Sequence, residues 1–182
     1  MRRYILTGTP GCGKTSLVRV LEMTGASVVA EAATDIIAYK QMQGVAEPWK
    51  NEDFIDYIIR LQKHRQIDLS NEYSDLHFYD RSPICTYALA TYLNFQPSTN
   101  LMQEIERIKK YNIYEQQVFF IDNLGFIENT NARKISFEDS LEFEKVHLDV
   151  YKKFGFSCIH IPTGSIEDRV KLILEHTNDE AT

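Results

Sequence analysis

The sequence predicts a three-layer α/β fold, with about five parallel strands covered by helices on both faces. Three observations carry that reading. Short β-branched or aromatic runs recur along the 182 residues, stretches of helical periodicity separate them, and a glycine-rich loop joins the first run to the first helix. The length suits a single domain, residues 1–182. With 43% hydrophobic and 25% charged residues, such a chain buries a core without metals or disulfides.

Residues 4–7 form an apolar strand that runs into the loop. Leu17, Val18, Val20 and Leu21 then repeat at helical spacing, and Gly25 ends that helix. A second strand covers residues 27–30, a helix covers about 32–43, and residues 44–48 break the pattern. Asn51 caps a long helix with Phe54, Ile58, Leu61 and Leu69 on one face, and residues 76–80 make the third strand. Pro83 sits in the first turn of a helix bearing Ile84, Tyr87, Ala88, Thr91 and Phe95. After Pro97 and Ser98, Asn100 caps another helix with Leu101, Ile105 and Ile108 inward. Residues 118–121 are the most apolar run and read as a fully buried fourth strand.

Residues 123–135 are polar and read as a flap. Ser136 with Asp139 starts a helix bearing Phe137, Leu141, Leu148, Tyr151 and Phe154. Residues 159–161 give the fifth strand, Ser165 with Asp168 caps the last helix, and residues 178–182 form a frayed tail. In a parallel sheet the ligand crevice lies beyond the carboxyl ends of the strands. That rule gathers residues 8–15, Glu31, Asp80, Arg81 and Asp122 around one crevice.

The loop matches GxxxxGK[ST] at Gly8, Gly13, Lys14 and Thr15. Backbone amides across Gly8, Gly11, Cys12, Gly13, Lys14, Thr15 and Ser16 are expected to cradle phosphates, helped by the positive end of the next helix. Lys14 reaches the β- and γ-phosphates, and the Thr15 hydroxyl suits Mg²⁺. A nucleoside triphosphate, ATP or GTP, is therefore the expected ligand.

Composition narrows the partners. With 26 acidic against 20 basic residues the net charge is −6, which disfavours nucleic acid as a partner. Cys12, Cys85 and Cys158 are odd in number and widely spaced, so they read as free thiols. The five histidines lack metal-ligand spacing. No apolar run approaches the roughly 18 residues a membrane span needs, and no signal peptide is visible, so the cytoplasm is the expected compartment.

Asn-Lys-x-Asp, the usual guanine reader, is missing, and DxxG at residues 122–125 begins the flap, which makes it a chance match. A motor ATPase needs a helical second domain, for which this length is tight. Phosphoryl transfer needs a carboxylate near Mg²⁺ and cations around the transferred group. Asp80 and Arg81 supply both, with Thr15 and Asp80 as the metal pair. Glu31 ends the second strand facing the acceptor side, so either Glu31 or Asp80 serves as general base. Arg133 and Lys134 would make the flap a basic lid. Tyr39, Trp49, Phe54 and Tyr57 cluster between the second and third strands; their helical spacing favours core packing for Phe54 and Tyr57, and Trp49, beside Pro48 in a breaker segment, is the better candidate for a site wall.

At Asp80-Arg81-Ser82 the chain resembles nucleoside and thymidylate kinases, and from Asp122 through Phe126 to Arg133 it is similar to ribosylnicotinamide kinases. Taken with Glu31-Ala32-Ala33 and Tyr151-x-x-Phe154-Gly155, these motifs resemble the small AAA-labelled P-loop ATPase/kinase-like family over nearly the whole chain. The resemblance implies a P-loop NTPase fold of the nucleoside/nucleotide-kinase type. It also implies a kinase moving the γ-phosphoryl of Mg-ATP to a small nucleoside-like acceptor, with Lys14, Glu31, Asp80, Arg81 and Arg133 as catalytic residues. The residues that hold a ribosylnicotinamide are not matched, so that substrate does not carry over. An NTP-hydrolysing regulator and a nucleotide-binding module serving a protein partner stay open as alternatives.

Overall fold

The computed structural model describes residues 1–68, 74–125 and 136–179. Five parallel strands form one sheet in the order β2-β3-β1-β4-β5. They are β1 (Arg2–Thr7), β2 (Ser27–Val29), β3 (Leu76–Asp80), β4 (Gln117–Ile121) and β5 (Ser157–Ile161). Between and after them run α1 (Lys14–Met23), α2 (Ala32–Met42), α3 (Asp53–Asp68), α4 (Pro83–Tyr92), α5 (Thr99–Lys110), α6 (Phe137–Lys153) and α7 (Ile166–Asp179).

Alternation along β1 divides its side chains between two cores. Tyr4 and Leu6 pack with Phe78, Phe119, Leu17, Leu21 and Ile173 on the face covered by α1 and α7. Ile5 joins Tyr79, Val118, Ile84, Leu101, Ile105 and Tyr151 on the other face, under α3 to α6. The rings of Tyr4 and Phe119 lie 5.5 Å apart, and Phe78 closes an aromatic trio at the sheet centre. A third cluster of Ala32, Ile36, Ile37, Phe54 and Ile58 joins α2 to α3. Because β1 is central, its carboxyl end has β3 on one side and β4 on the other. The phosphate loop therefore opens between Asp80 and Asp122.

Several local expectations are corrected. Ser98, not Asn100, caps α5, accepting from Leu101 N at 3.1 Å; the Asn100 amide instead donates to Asp56 at 2.8 Å. Asn51 ends a short 3₁₀ turn, Pro48–Lys50, and α3 begins at Asp53. Leu141 is exposed, because the inward face of α6 runs through Ser140, Phe143, His147 and Tyr151. Phe95 lies beyond the end of α4, though it still packs on the core. Leu69, Phe126, Arg133 and Lys134 fall outside the described residues. The side chain of Phe137 lies outside them as well.

Candidate functional site

The phosphate loop turns on three glycines at positive φ: Gly8 at 134°, Gly11 at 85° and Gly13 at 86°. At Gly8 the requirement is steric as well as conformational, since a Cβ would stand 2.4 Å from the Ile121 carbonyl oxygen. The loop thus lies directly on the end of β4. Lys14 is 6% exposed, and its ammonium donates to the carbonyls of Gly8 at 3.0 Å and Thr9 at 2.9 Å and contacts Cys12 Sγ at 3.4 Å. Thr15 and Ser16 are exposed in the first turn of α1, where the positive end of the helix dipole favours an anion.

Glu31 stands in the N-cap position of α2, just beyond β2, without a side-chain capping bond, and Arg81 follows β3. Arg81 Nε donates to Glu31 Oε1 at 2.5 Å, while Glu31 Oε2 accepts from Thr34 Oγ1 at 2.8 Å. Both side chains are largely buried, at 10% and 14% exposure. Burial is the largest single influence and weakens the Arg81 cation, but the acidic groups around it, Glu31 first and then Cys85 and Asp80, together more than offset it and raise its pKa. Arg81 also holds a positive φ of 75°, a conformation costing about 1–3 kcal/mol outside glycine. Its amide donates to the Leu6 carbonyl at 3.0 Å, which pins this strained residue to β1.

His147 on α6 was not legible as a site residue. Its Nδ1–H donates to the Phe143 carbonyl at 3.0 Å, which leaves the Nε2 lone pair facing Arg81 Nη1 in a long contact of 3.5 Å. Burial, then the Arg81 charge, push its pKa down to about 3, so the ring is neutral at ordinary pH. Below it, Tyr151 OH meets Ser82 Oγ at 3.0 Å and Cys85 Sγ at 2.9 Å, and Cys85 Sγ meets Thr7 Oγ1 at 3.2 Å. This network joins α6, the start of α4 and the end of β1.

A cavity of about 200 Å³ opens beside these groups. Its walls are mainly apolar, including Ile37, Trp49, Phe54, Ile58, Leu89 and Phe143. Pro10 of the phosphate loop, Glu31 and Arg81 all line the same space. Gln62 and Thr86 supply a polar patch, with Thr86 Oγ1 donating to Gln62 Oε1 at 3.0 Å. Of the aromatic candidates, Trp49 and Phe54 line the cavity. Tyr57 instead carries the Lys40 ammonium 3.6 Å above its ring, and Tyr39 is exposed.

Asp80 is 5% exposed at the end of β3. Among the described residues no group of three His, Cys, Asp or Glu could hold a metal ion by itself. Thr15, exposed at the start of α1, and Asp80, buried at the end of β3, are oxygen donors of the kind that Mg²⁺ takes, one or two at a time, alongside phosphate oxygens and water. Asp122 pairs with His160 at 2.7 Å on the far side of the loop. Asn123 bridges Thr9 Oγ1 at 3.4 Å and Ser140 Oγ at 3.5 Å, and accepts from Gly125 N at 2.8 Å. The structure therefore brings Glu31 and Arg81 together with the phosphate loop. No helix among the described residues is long and apolar enough to cross a membrane.

Comparison with solved structures finds the same fold in two proteins. A deoxyadenosine kinase from M. mycoides with bound dATP superposes with a TM-score of 0.60 at 15% identity, covering 97% of this chain and 99% of that one. The NadR protein in complex with NAD and AMP-PNP gives 0.70 at 18% identity, covering 97% of this chain and 49% of that one. No curated protein sequence matches. A family model described as an AAA domain matches residues 3–169, from β1 through the phosphate loop to the first turn of α7. The chain belongs to that AAA-domain family of P-loop proteins, and its fold is the α/β fold of small nucleoside kinases.

Proposed function

We propose that this protein is a kinase that transfers the γ-phosphoryl group of Mg-ATP to a hydroxyl of a small, nucleoside-like acceptor. One observation carries the reading: Glu31 and Arg81 are ion-paired and line a largely apolar cavity whose wall includes Pro10 of the phosphate loop. An acceptor seated there has a carboxylate and a guanidinium on its phosphate side. The flat apolar walls suit a ring, and Gln62, its Oε1 occupied by Thr86, offers amide N–H donors to polar ring atoms. The deoxyadenosine kinase with bound dATP and the NadR protein with NAD and AMP-PNP share the fold and support the reading.

In this reading the loop amides and Lys14 hold the β- and γ-phosphates. Mg²⁺, when bound at Thr15 and Asp80, shields the phosphate charge. Glu31 takes the proton of the acceptor hydroxyl, with Asp80 as the alternative base. The acceptor oxygen forms its bond to the γ-phosphorus, the bond to the β,γ-bridging oxygen breaks, and ADP carries away the electron pair. Arg81 neutralises charge on the transferred group, and such positioned cations supply much of the catalysis in phosphoryl transfer. On the sequence reading, Arg133 of the polar 123–135 segment supplies a further cation for the transferred group; it lies outside the described residues.

The test is label transfer from γ-³²P ATP or GTP to a panel of nucleosides and related vitamers. Labelled acceptor, lost in Lys14→Ala, supports the kinase. Phosphate release that ignores acceptors and rises with a protein partner supports a regulatory NTPase instead.

A further inference from the structure

Arg169 stands in the first turn of α7 and is 4% exposed. Its Nη2 donates to the Cys12 carbonyl at 3.2 Å, and Nη1 lies 3.4 Å from where a Cβ on Gly13 would stand. The guanidinium therefore packs directly on the phosphate loop. Its Nε is buried and has no acceptor. Among the described residues the Cys12 carbonyl is its one acceptor, for a group with about five N–H bonds to place.

No carboxylate among the described residues forms an ion pair with it. Asp122 acts on it electrostatically but pairs with His160 at 2.7 Å, and Asp168 accepts from Ser165 Oγ at 2.7 Å. Glu167 in the same turn is exposed, while the phosphate loop on which Arg169 packs is positive. Lys14 lies buried in the same loop, α1 begins there, and the amino end of α7 disfavours a cation in its first turn. Burial weakens the Arg169 cation accordingly. A buried charge lacking a partner is costly, and structural arginines are normally paired. Anchoring the loop through one carbonyl does not require a cation.

We propose that Arg169 is a binding residue for the polyphosphate chain of the nucleotide, its counter-anion being the ligand rather than a carboxylate of this chain. The proposal rests on the reading that the phosphate loop binds a nucleoside triphosphate, and it adds a second cation, from α7, to Lys14. It also gives α7 a part in the site that the loop motif does not reveal. In the nucleotide complex, charge-assisted hydrogen bonds from Arg169 would satisfy the donors that now lack acceptors.

The test measures dissociation constants and melting temperatures for the wild type, Arg169→Met and Arg169→Lys. The probes are Mg-ATP, Mg-ADP, adenosine and inorganic tripolyphosphate. Arg169→Met should weaken ATP and tripolyphosphate alike, by about 10- to 100-fold, and leave the ligand-free melting temperature equal or higher. Arg169→Lys should fall between the two. Unchanged affinities in Arg169→Met, or a loss for ATP with tripolyphosphate unaffected, overturn the polyphosphate contact. If neither variant folds, Arg169 is a structural cation and the proposal fails. A wild type that binds neither ATP nor tripolyphosphate overturns the nucleotide reading itself, whatever the variants do.

Discussion

Arg81 Nε and Glu31 Oε1 meet at 2.5 Å, although 50 residues separate them in the chain. Each comes from the carboxyl end of a different strand, β3 and β2, and the pair lines the cavity beside Pro10. Thr34 fixes the second carboxylate oxygen and His147 faces the second arm of the guanidinium, so both groups are oriented from two sides.

Breaking that pair should damage stability and turnover together. Either Glu31→Gln or Arg81→Met leaves a largely buried charge without its partner, at a cost of up to about 3 kcal/mol. The double variant should be more stable than the single effects sum to, as urea unfolding in a double-mutant cycle would show. Arg81→Lys should not restore turnover, because one ammonium cannot hold the geometry of two guanidinium arms.

Acid should destabilise the fold through His147. Its folded pKa of about 3 lies below the ordinary 6.5, so the unfolded chain binds the extra proton. The stability this contributes is complete above about pH 6.5 and is lost as pH falls toward 3, with a slope of up to ~1.4 kcal/mol per pH unit. His147→Gln removes the titrating group and should flatten the profile between pH 6.5 and 4 measured by urea unfolding. An equally steep profile in that variant would assign the acid sensitivity to other groups.

Gly8→Ala should disable the loop. The new methyl meets the Ile121 carbonyl at 2.4 Å, on a residue with φ of 134°. Strain of about 1–3 kcal/mol should lower the melting temperature, and displacement of the loop should abolish nucleotide-induced stabilisation. By contrast Gly44→Ala, with no atom within 4 Å of the new Cβ, should keep nucleotide binding.

Gln62→Leu should separate acceptor from donor binding. Thr86 keeps the Ser82 carbonyl as a partner at 3.3 Å, so the stability loss should stay near about 1 kcal/mol. Removing the amide should raise the KM for the acceptor at least about tenfold while the KM for ATP holds. An equal change in both would place Gln62 outside the acceptor pocket.

Much of this fold was legible because it rests on local signals. The phosphate loop, the buried run at β4 and the start of α4 at Pro83 are written in consecutive residues. Glu31 and Arg81 could be nominated because each follows a readable strand. What stayed hidden depends on packing between distant segments. Arg169 reaches Cys12 across 157 residues, and His147 reaches Arg81 across 66. The positive φ of Arg81 leaves no trace in residue type. Helix α6 was misphased because its inward face carries the polar Ser140 and His147, while the apolar Leu141 points to solvent. The choice between Ser98 and Asn100 failed for a related reason: both are good caps and both donate to Asp56, and only the start of α5 at Thr99 puts Ser98 in the capping position and Asn100 inside the helix.

The most direct test of the central claim is acceptor-dependent ADP formation by the wild type, with γ-labelled ATP and the fate of the label followed in the same tube. The account predicts that one acceptor class raises ADP formation at least about tenfold, with label appearing in the acceptor mole for mole. It also predicts that Glu31→Gln lowers this rate about 10²- to 10⁴-fold, the range for loss of a general base. ADP and free phosphate forming at one rate with or without every acceptor would contradict it.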